Sequence, residues 1–323
     1  MARSPWIFAT LGLLGCAEVP KAARAEVPKV SPPAAGGAVR GKVPKASPGS
    51  ATPAAGVETE LRSVPPAPLD VRVIESAEQD GVRIDQLTFR GPGGQGLVHA
   101  SRVRPAGPGP FAAVLWVHWL GDPETTNRTE FLDEALALAQ EGLVSLLVDA
   151  MWSAPKWYAT RAPEQDYDAS VRQAQALIRA LDLLAAEPGV NPARIGFVGH
   201  DYGAMHGILA GAADPRPRAW VLIAATPRFS DWAFFGPKPK DRDAYLARIS
   251  LLDPVAFVGR LDGAVLLQFA LHDEYIPQAA ADTLAAAAPR TAMANSYDAD
   301  HAVNVPAART DRDAFLAATL GLR

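Results

Sequence analysis

From residue 82 onward the chain alternates short apolar runs with stretches whose apolar positions recur at helical spacing. Val82–Phe89 (VRIDQLTF) alternates apolar and polar residues, and Leu97–Val103 does so loosely, with Gly91-Pro92-Gly93-Gly94 between them. That pattern predicts an antiparallel hairpin with one solvated face. Phe111–Val117 (FAAVLWV) and Leu143–Val148 are apolar throughout, as strands covered on both faces must be. Between them, Asn127 followed by Glu130 predicts a helix start, which Phe131, Ala135, Leu136 and Ala139 continue on one face. Val171, Ala174, Leu177, Ile178, Leu181 and Leu184 mark a long amphipathic helix that Pro188-Gly189 ends. Ile195–Val198, Trp220–Ala224 and Ala264–Phe269 read as further buried strands, with helices near 277–287 and 307–319. Apolar strands alternating with helices predict an α/β fold, a mostly parallel doubly wound sheet opened by an antiparallel hairpin.

The pattern fails before Leu69. Residues 17–68 are rich in Pro, Ala, Gly, Ser and Lys, and Val-Pro-Lys recurs at 19–21, 27–29 and 43–45. Frequent proline and few large apolar side chains support neither a helix nor a core. The stretch therefore reads as an extended tether, a coil of ~50 residues spanning roughly 40 Å. Residues 1–16 place Arg3 before the apolar run Trp6–Leu14, which is too short to cross a bilayer and predicts an export signal. Its end, Leu13-Leu14-Gly15-Cys16, resembles the lipobox of bacterial lipoproteins, in which the cysteine is lipidated after cleavage before it. The resemblance implies an exported protein held at the cell envelope through a lipid anchor on Cys16. An ordinary signal peptide with an incidental cysteine is the other reading. Residues 69–323 are then one folded domain.

Composition narrows the function. The chain of 323 residues is 49% hydrophobic and 20% charged, enough for a sizeable core. A net charge of −4 gives no basic footprint, so nucleic acid is not an expected partner. Cys16 is the one cysteine, which excludes an intrachain disulfide and a cysteine-based metal site. No cofactor or metal is expected, and the partner expected is a small-molecule substrate.

The candidate chemistry lies in Arg194–Gly211 (RIGFVGHDYGAMHGILAG). An apolar strand runs into Gly199-His200-Asp201-Tyr202-Gly203 and then into a helix carrying Ala204, Gly207, Ala210 and Gly211 as a small face. A strand turning sharply into a helix through two such glycines resembles the nucleophile elbow of the α/β-hydrolases, normally G-x-S-x-G, and implies the α/β-hydrolase fold from about residue 70 to the end. Asn191-Pro192-Ala193-Arg194-Ile195-Gly196, Ser250–Val258 (SLLDPVAFV) and Leu271–Pro277 (LHDEYIP) resemble the dienelactone-hydrolase branch. The elbow residue departs from that branch: G-H-D-x-G is similar to haloalkane dehalogenases and epoxide hydrolases, which implies Asp201 as the nucleophile.

The resemblance implies partners in the order nucleophile, acid, histidine. Asp273 follows the Ala264–Phe269 strand, where such sheets place catalytic groups, and His301 follows the last strand. Asp273, with Glu274 as its neighbouring alternative, would orient His301, and His301 would activate a water. Backbone amides of Tyr202 and of the His118-Trp119-Leu120-Gly121 loop, which resembles the family's H-G-x-P, would form the oxyanion hole; Leu120 is the first choice there and Trp119 the second. Trp152, Trp157, Tyr158 and Trp232 are the expected pocket aromatics. A carboxylate attacking sp³ carbon forms an alkyl ester that water can hydrolyse, whereas attack on a carboxylic ester gives a costlier mixed anhydride. The expected activity is hydrolysis of a small apolar ester, epoxide or alkyl halide. A degenerate member of the fold that only binds such a ligand is the competing class.

Overall fold

The apolar runs at 111–117 and 143–148 lie side by side at the centre of one nine-stranded sheet. The computed structural model describes residues 52–64, 66–122 and 127–322; the export signal, Cys16 and most of the expected tether lie outside them. The strands are β1 (Arg72–Gln79), β2 (Val82–Arg90), β3 (Leu97–Arg104), β4 (Phe111–Val117), β5 (Leu143–Val148), β6 (Val190–His200), β7 (Pro217–Ile223), β8 (Ala264–Ala270) and β9 (Met293–Tyr297), in the order β1-β2-β3-β5-β4-β6-β7-β8-β9. Pairing is antiparallel from β1 through β3 to β5 and parallel from β5 to β9. Every residue of β4 and β5 is buried, in keeping with helices on both faces of the parallel half.

The helices are α1 (Thr52–Arg62), α2 (Leu132–Ala139), α3 (Trp157–Thr160), α4 (Asp166–Ala186), α5 (Tyr202–Ala213), α6 (Ser230–Ala233), α7 (Arg242–Ile249), α8 (Gln278–Ala287) and α9 (Pro306–Leu320). The chain leaves β4 through α2 to reach β5 on one side, then returns through α4 to β6 on the other. Strand order therefore reverses between β4 and β6, which opens a crevice at their carboxyl ends. The loops after these two strands carry Trp119, Leu120 and Asp201. Topology alone thus puts the elbow beside the expected oxyanion loop.

Three elements differ from the expectation. The strand β1 is exposed along its whole length, so no buried alternation marks it in the sequence. Helix α1 forms inside the stretch expected to be tether: Ala54, Val57 and Leu61 are buried, Tyr167 donates to Glu60 Oε2 at 2.8 Å, and Arg62 donates to the Ala212 carbonyl at 3.3 Å. Its apolar residues fall one helical turn apart, a signal that the surrounding prolines dilute. Asn127 does not cap α2; its side chain accepts from the Thr129 amide at 3.0 Å and the helix begins at Leu132. Glu130 is thereby left in a turn, free of the helix and directed to other work.

Candidate active site

The sharp bend between β6 and α5 sets the geometry. Asp201 has φ 51° and ψ −115°, a conformation costly for any residue with a side chain. Two close approaches hold it. A Cβ on Gly199 would lie 2.7 Å from the Ala204 amide nitrogen, and one on Gly203 would lie 2.4 Å from the Val117 carbonyl oxygen. Only glycine fits either place. The Asp201 amide donates to the Ile223 carbonyl at 2.8 Å, which ties the bend to β7.

The Asp201 carboxylate is fully buried and its two oxygens differ. Oδ2 accepts the Leu120 amide at 3.1 Å, and the Tyr202 amide at the start of α5 also hydrogen-bonds the carboxylate. Oδ1 has no hydrogen-bond partner among the described residues. Burial pushes this carboxyl up to about 7, against the opposing pull of the His301 charge and the two amides. Ionised Asp201 is thus a poorly solvated anion with one oxygen bound and one bare.

His301 and Asp273 meet as their order in the chain implies. His301 Nδ1 donates to Asp273 Oδ2 at 2.9 Å, while Asp273 Oδ1 accepts the amides of Tyr275 at 2.8 Å and Ile276 at 2.9 Å. Burial raises the Asp273 carboxyl, but the hydrogen bond and charge of His301 together with the two amides outweigh it and hold Asp273 below its ordinary range. With Nδ1 committed, Nε2 is the free nitrogen, and it has no partner among the described residues. The charge of His301 is the foremost favourable influence on ionised Asp201. Glu274 makes no such pairing with His301; it takes the Tyr275 hydroxyl instead.

The loop after β4, expected to supply an oxyanion amide, is braced from behind by residues the sequence did not single out for this purpose. The Trp119 amide donates to Glu130 Oε2 at 2.9 Å, so Trp119, the second choice as oxyanion donor, is committed elsewhere and Leu120 is the amide that reaches Asp201. Glu130 Oε1 accepts His200 Nδ1 at 2.6 Å. The Trp119 ring stacks on His200 at 5.2 Å and on His301 at 5.6 Å between centroids, so one side chain packs against both sides of the site. His118 is buried, with Nε2 against Ser153 Oγ at 2.8 Å and Nδ1 against the Trp119 carbonyl at 2.9 Å, a fastening for the loop. Glu130→Ala is expected to strand the Trp119 amide and His200 together. Stability should fall by about 1–3 kcal/mol, measured as a lower urea midpoint at unchanged slope.

Above the site lies an open cavity of about 590 Å³ lined by Trp119, Leu120, Tyr158, Trp232, Phe235, Tyr275 and His301, with Asp122, Glu274 and Asp300 among its walls. Of the four aromatics expected in the pocket, Tyr158 and Trp232 line this cavity. Trp152 and Trp157 do not. Trp152 is buried in the core, where its indole donates to the Trp119 carbonyl at 2.9 Å, and Trp157 packs half-buried beside Tyr158 without reaching the cavity. Both follow β5, but the turn at 151–153 carries Trp152 beneath the oxyanion loop rather than over it. Asp253, in the SLLDPVAFV segment, accepts the Phe229 amide at 3.0 Å and so steadies the segment that bears Trp232.

No protein-family model matches this sequence, and no curated protein matches it. Solved structures do resemble it. An acetyl xylan esterase from Paenibacillus sp. R4 aligns at TM-score 0.66 and 17% identity, over 82% of this chain and 92% of that one. Acetyl xylan esterase 1 from Thermoanaerobacterium sp. JW/SL YS485 gives TM-score 0.66 and 17% identity over 82% and 91%. A protein from Klebsiella pneumoniae subsp. pneumoniae MGH 78578, assigned as a dienelactone hydrolase, gives 0.52 and 20% over 70% and 93%. At such identities the likeness is one of fold. The chain has the α/β-hydrolase fold.

Proposed function

We propose that the protein is a hydrolase in which Asp201 is the nucleophile, His301 activates water and Asp273 orients His301, acting on a small ester, epoxide or alkyl halide. The observation that carries this reading is the asymmetry of the Asp201 carboxylate. Oδ1 is bare and attacks an sp³ carbon, forming a C–O bond as the leaving group departs with its electron pair. The resulting ester keeps its carbonyl oxygen, Oδ2, on the amide of Leu120. His301 Nε2 then takes a proton from water, the hydroxide adds to Cγ of Asp201, and the negative charge gathers on Oδ2, to which the Leu120 amide already donates. Collapse breaks the bond to the alkoxide, which takes the proton held on His301 and leaves as the alcohol, and the restored Asp201 carboxyl loses its proton to solvent.

The walls bear on the leaving group. An epoxide oxygen leaves as an alkoxide and needs a proton donor, but of the tyrosines lining the cavity Tyr158 donates to the Trp232 carbonyl and Tyr275 to Glu274. Departure as a stable anion, a halide or the carboxylate of an ester cleaved at its alkyl carbon, suits these commitments better. Names among the structural neighbours include ester hydrolases, which keeps esters in the set. The leader and Cys16 would hold this activity at the cell envelope.

A panel of alkyl esters, haloalkanes and epoxides with wild type and Asp201→Asn finds the substrate. A single turnover in heavy-oxygen water, followed by peptide mass spectrometry, then tests the mechanism. The label is expected in Asp201, and Asp201→Asn is expected to lose turnover by a factor on the order of 10⁴ or more. Label only in the product acid, or turnover unchanged in Asp201→Asn, would overturn the nucleophile assignment. No turnover on any substrate, with binding intact, would place the protein with the degenerate members of the fold.

A further inference from the structure

The cavity over Asp201 has a chemical bias that the hydrolase reading does not require. Trp232, Phe235 and Tyr275 form a triangle of rings, with centroid separations of 5.8 Å, 5.5 Å and 6.1 Å. Phe235 is 64% exposed and Tyr275 42%, whereas Trp232 is buried, so two of the three rings present open aromatic surface at the mouth. Large rings left open beside a cavity mark a surface that something covers. The polar groups on the same wall are Asp122, Glu274 and Asp300, all exposed carboxylates, and no lysine or arginine is among the described lining residues. His301 lines the same cavity, and its Nε2, like Asp201 Oδ1, is buried without a hydrogen-bond partner among the described residues.

Ring faces carry negative electrostatic potential, as carboxylates carry negative charge, and the two together attract an organic cation. A small inorganic cation would keep its water and gain little from rings. An anionic substrate would be repelled by these carboxylates. We propose that this cavity selects substrates bearing an alkylated ammonium group, whose apolar shell packs on Trp232, Phe235 and Tyr275 while its charge faces Glu274 and Asp300. The proposal rests on the hydrolase reading for the position of the reacting carbon, next to Asp201, but its binding chemistry is separable from turnover.

The test uses the full chain carrying Asp201→Asn, so that no ligand is consumed. Binding of phenyltrimethylammonium and of its neutral isostere tert-butylbenzene is followed by tryptophan fluorescence and calorimetry. The cation is expected to bind about tenfold tighter or more, a preference that added salt weakens. Glu274→Gln combined with Asp300→Asn is expected to reduce the cation's affinity several-fold and leave the isostere's unchanged. Both replacements keep a side-chain oxygen as acceptor for the Tyr275 hydroxyl and the Ala302 amide, so local structure is retained. Equal affinity for the two compounds, or binding of a neutral xylo-oligosaccharide with no binding of the cation, would overturn the proposal. Either result leaves the heavy-oxygen label on Asp201 untouched, so the two readings fail separately.

Discussion

Asp201→Ser is expected to create a carboxylic-ester hydrolase, raising the rate on a short activated acyl ester by a factor on the order of 10³ over wild type. The substitution restores the G-x-S-x-G elbow at Gly199–Gly203 in a site whose other parts are in place. His301 has Nδ1 on Asp273 and Nε2 without a partner, as a general base for a serine hydroxyl requires. The amides of Leu120 and Tyr202, now occupied by Asp201 itself, would be released to a tetrahedral oxyanion. Serine also removes a buried carboxylate, so the bend should be kept at no loss of stability. The readout is release of chromophore from an acyl ester, checked by trapping the acyl-enzyme on residue 201. A folded serine variant with no gain would mean that Trp119, where the family motif has glycine, leaves the oxyanion amides unable to serve a tetrahedral carbon.

The contrast between what could be read in advance and what could not follows from which residues face the core. The central strands were legible because β4 and β5 are buried on both faces and so are apolar throughout. The elbow was legible because a bend with φ 51° at Asp201 and backbone contacts under 3 Å at Gly199 and Gly203 permits few sequences. Asp273 and His301 could be picked out by their order after two late strands. Glu130 could not, because a glutamate three residues after an asparagine has an ordinary meaning as part of a helix cap. Its pairing with His200 and the Trp119 amide joins positions about 70 and 11 residues away, which no local pattern encodes. The pocket aromatics were half legible for a similar reason. Trp152 and Tyr158 both follow β5, yet the turn at 151–153 sends one under the loop and the other into the cavity.

Asp201→Asn is expected to stabilise the protein above neutral pH while it removes turnover. Burial holds the Asp201 carboxyl at about 7 in the folded chain, whereas its ordinary value is 3.8. Between those values the folded state binds a proton that the unfolded state has lost, so the contribution of this group to stability falls as pH rises through the window. Full ionisation above the upper value corresponds to a loss of roughly 4 kcal/mol, and a neutral amide escapes it. Asparagine can still accept the Leu120 amide through its side-chain oxygen, so little else is removed. The expected advantage of the variant is near zero at about pH 4 and complete above about pH 8, where the melting temperature should rise by about 10 °C. Asp253 and Asp313, whose carboxyls burial also raises, titrate in both proteins and cancel in the difference. Thermal scans of the pair across pH measure it. An advantage that does not vary with pH would show that the burial of Asp201 as an anion is not what strains the site. On the proposed mechanism, the predicted dependence would make Asp201 the place where stability is given up for chemistry, because the ionised form that the fold disfavours is the form proposed to attack.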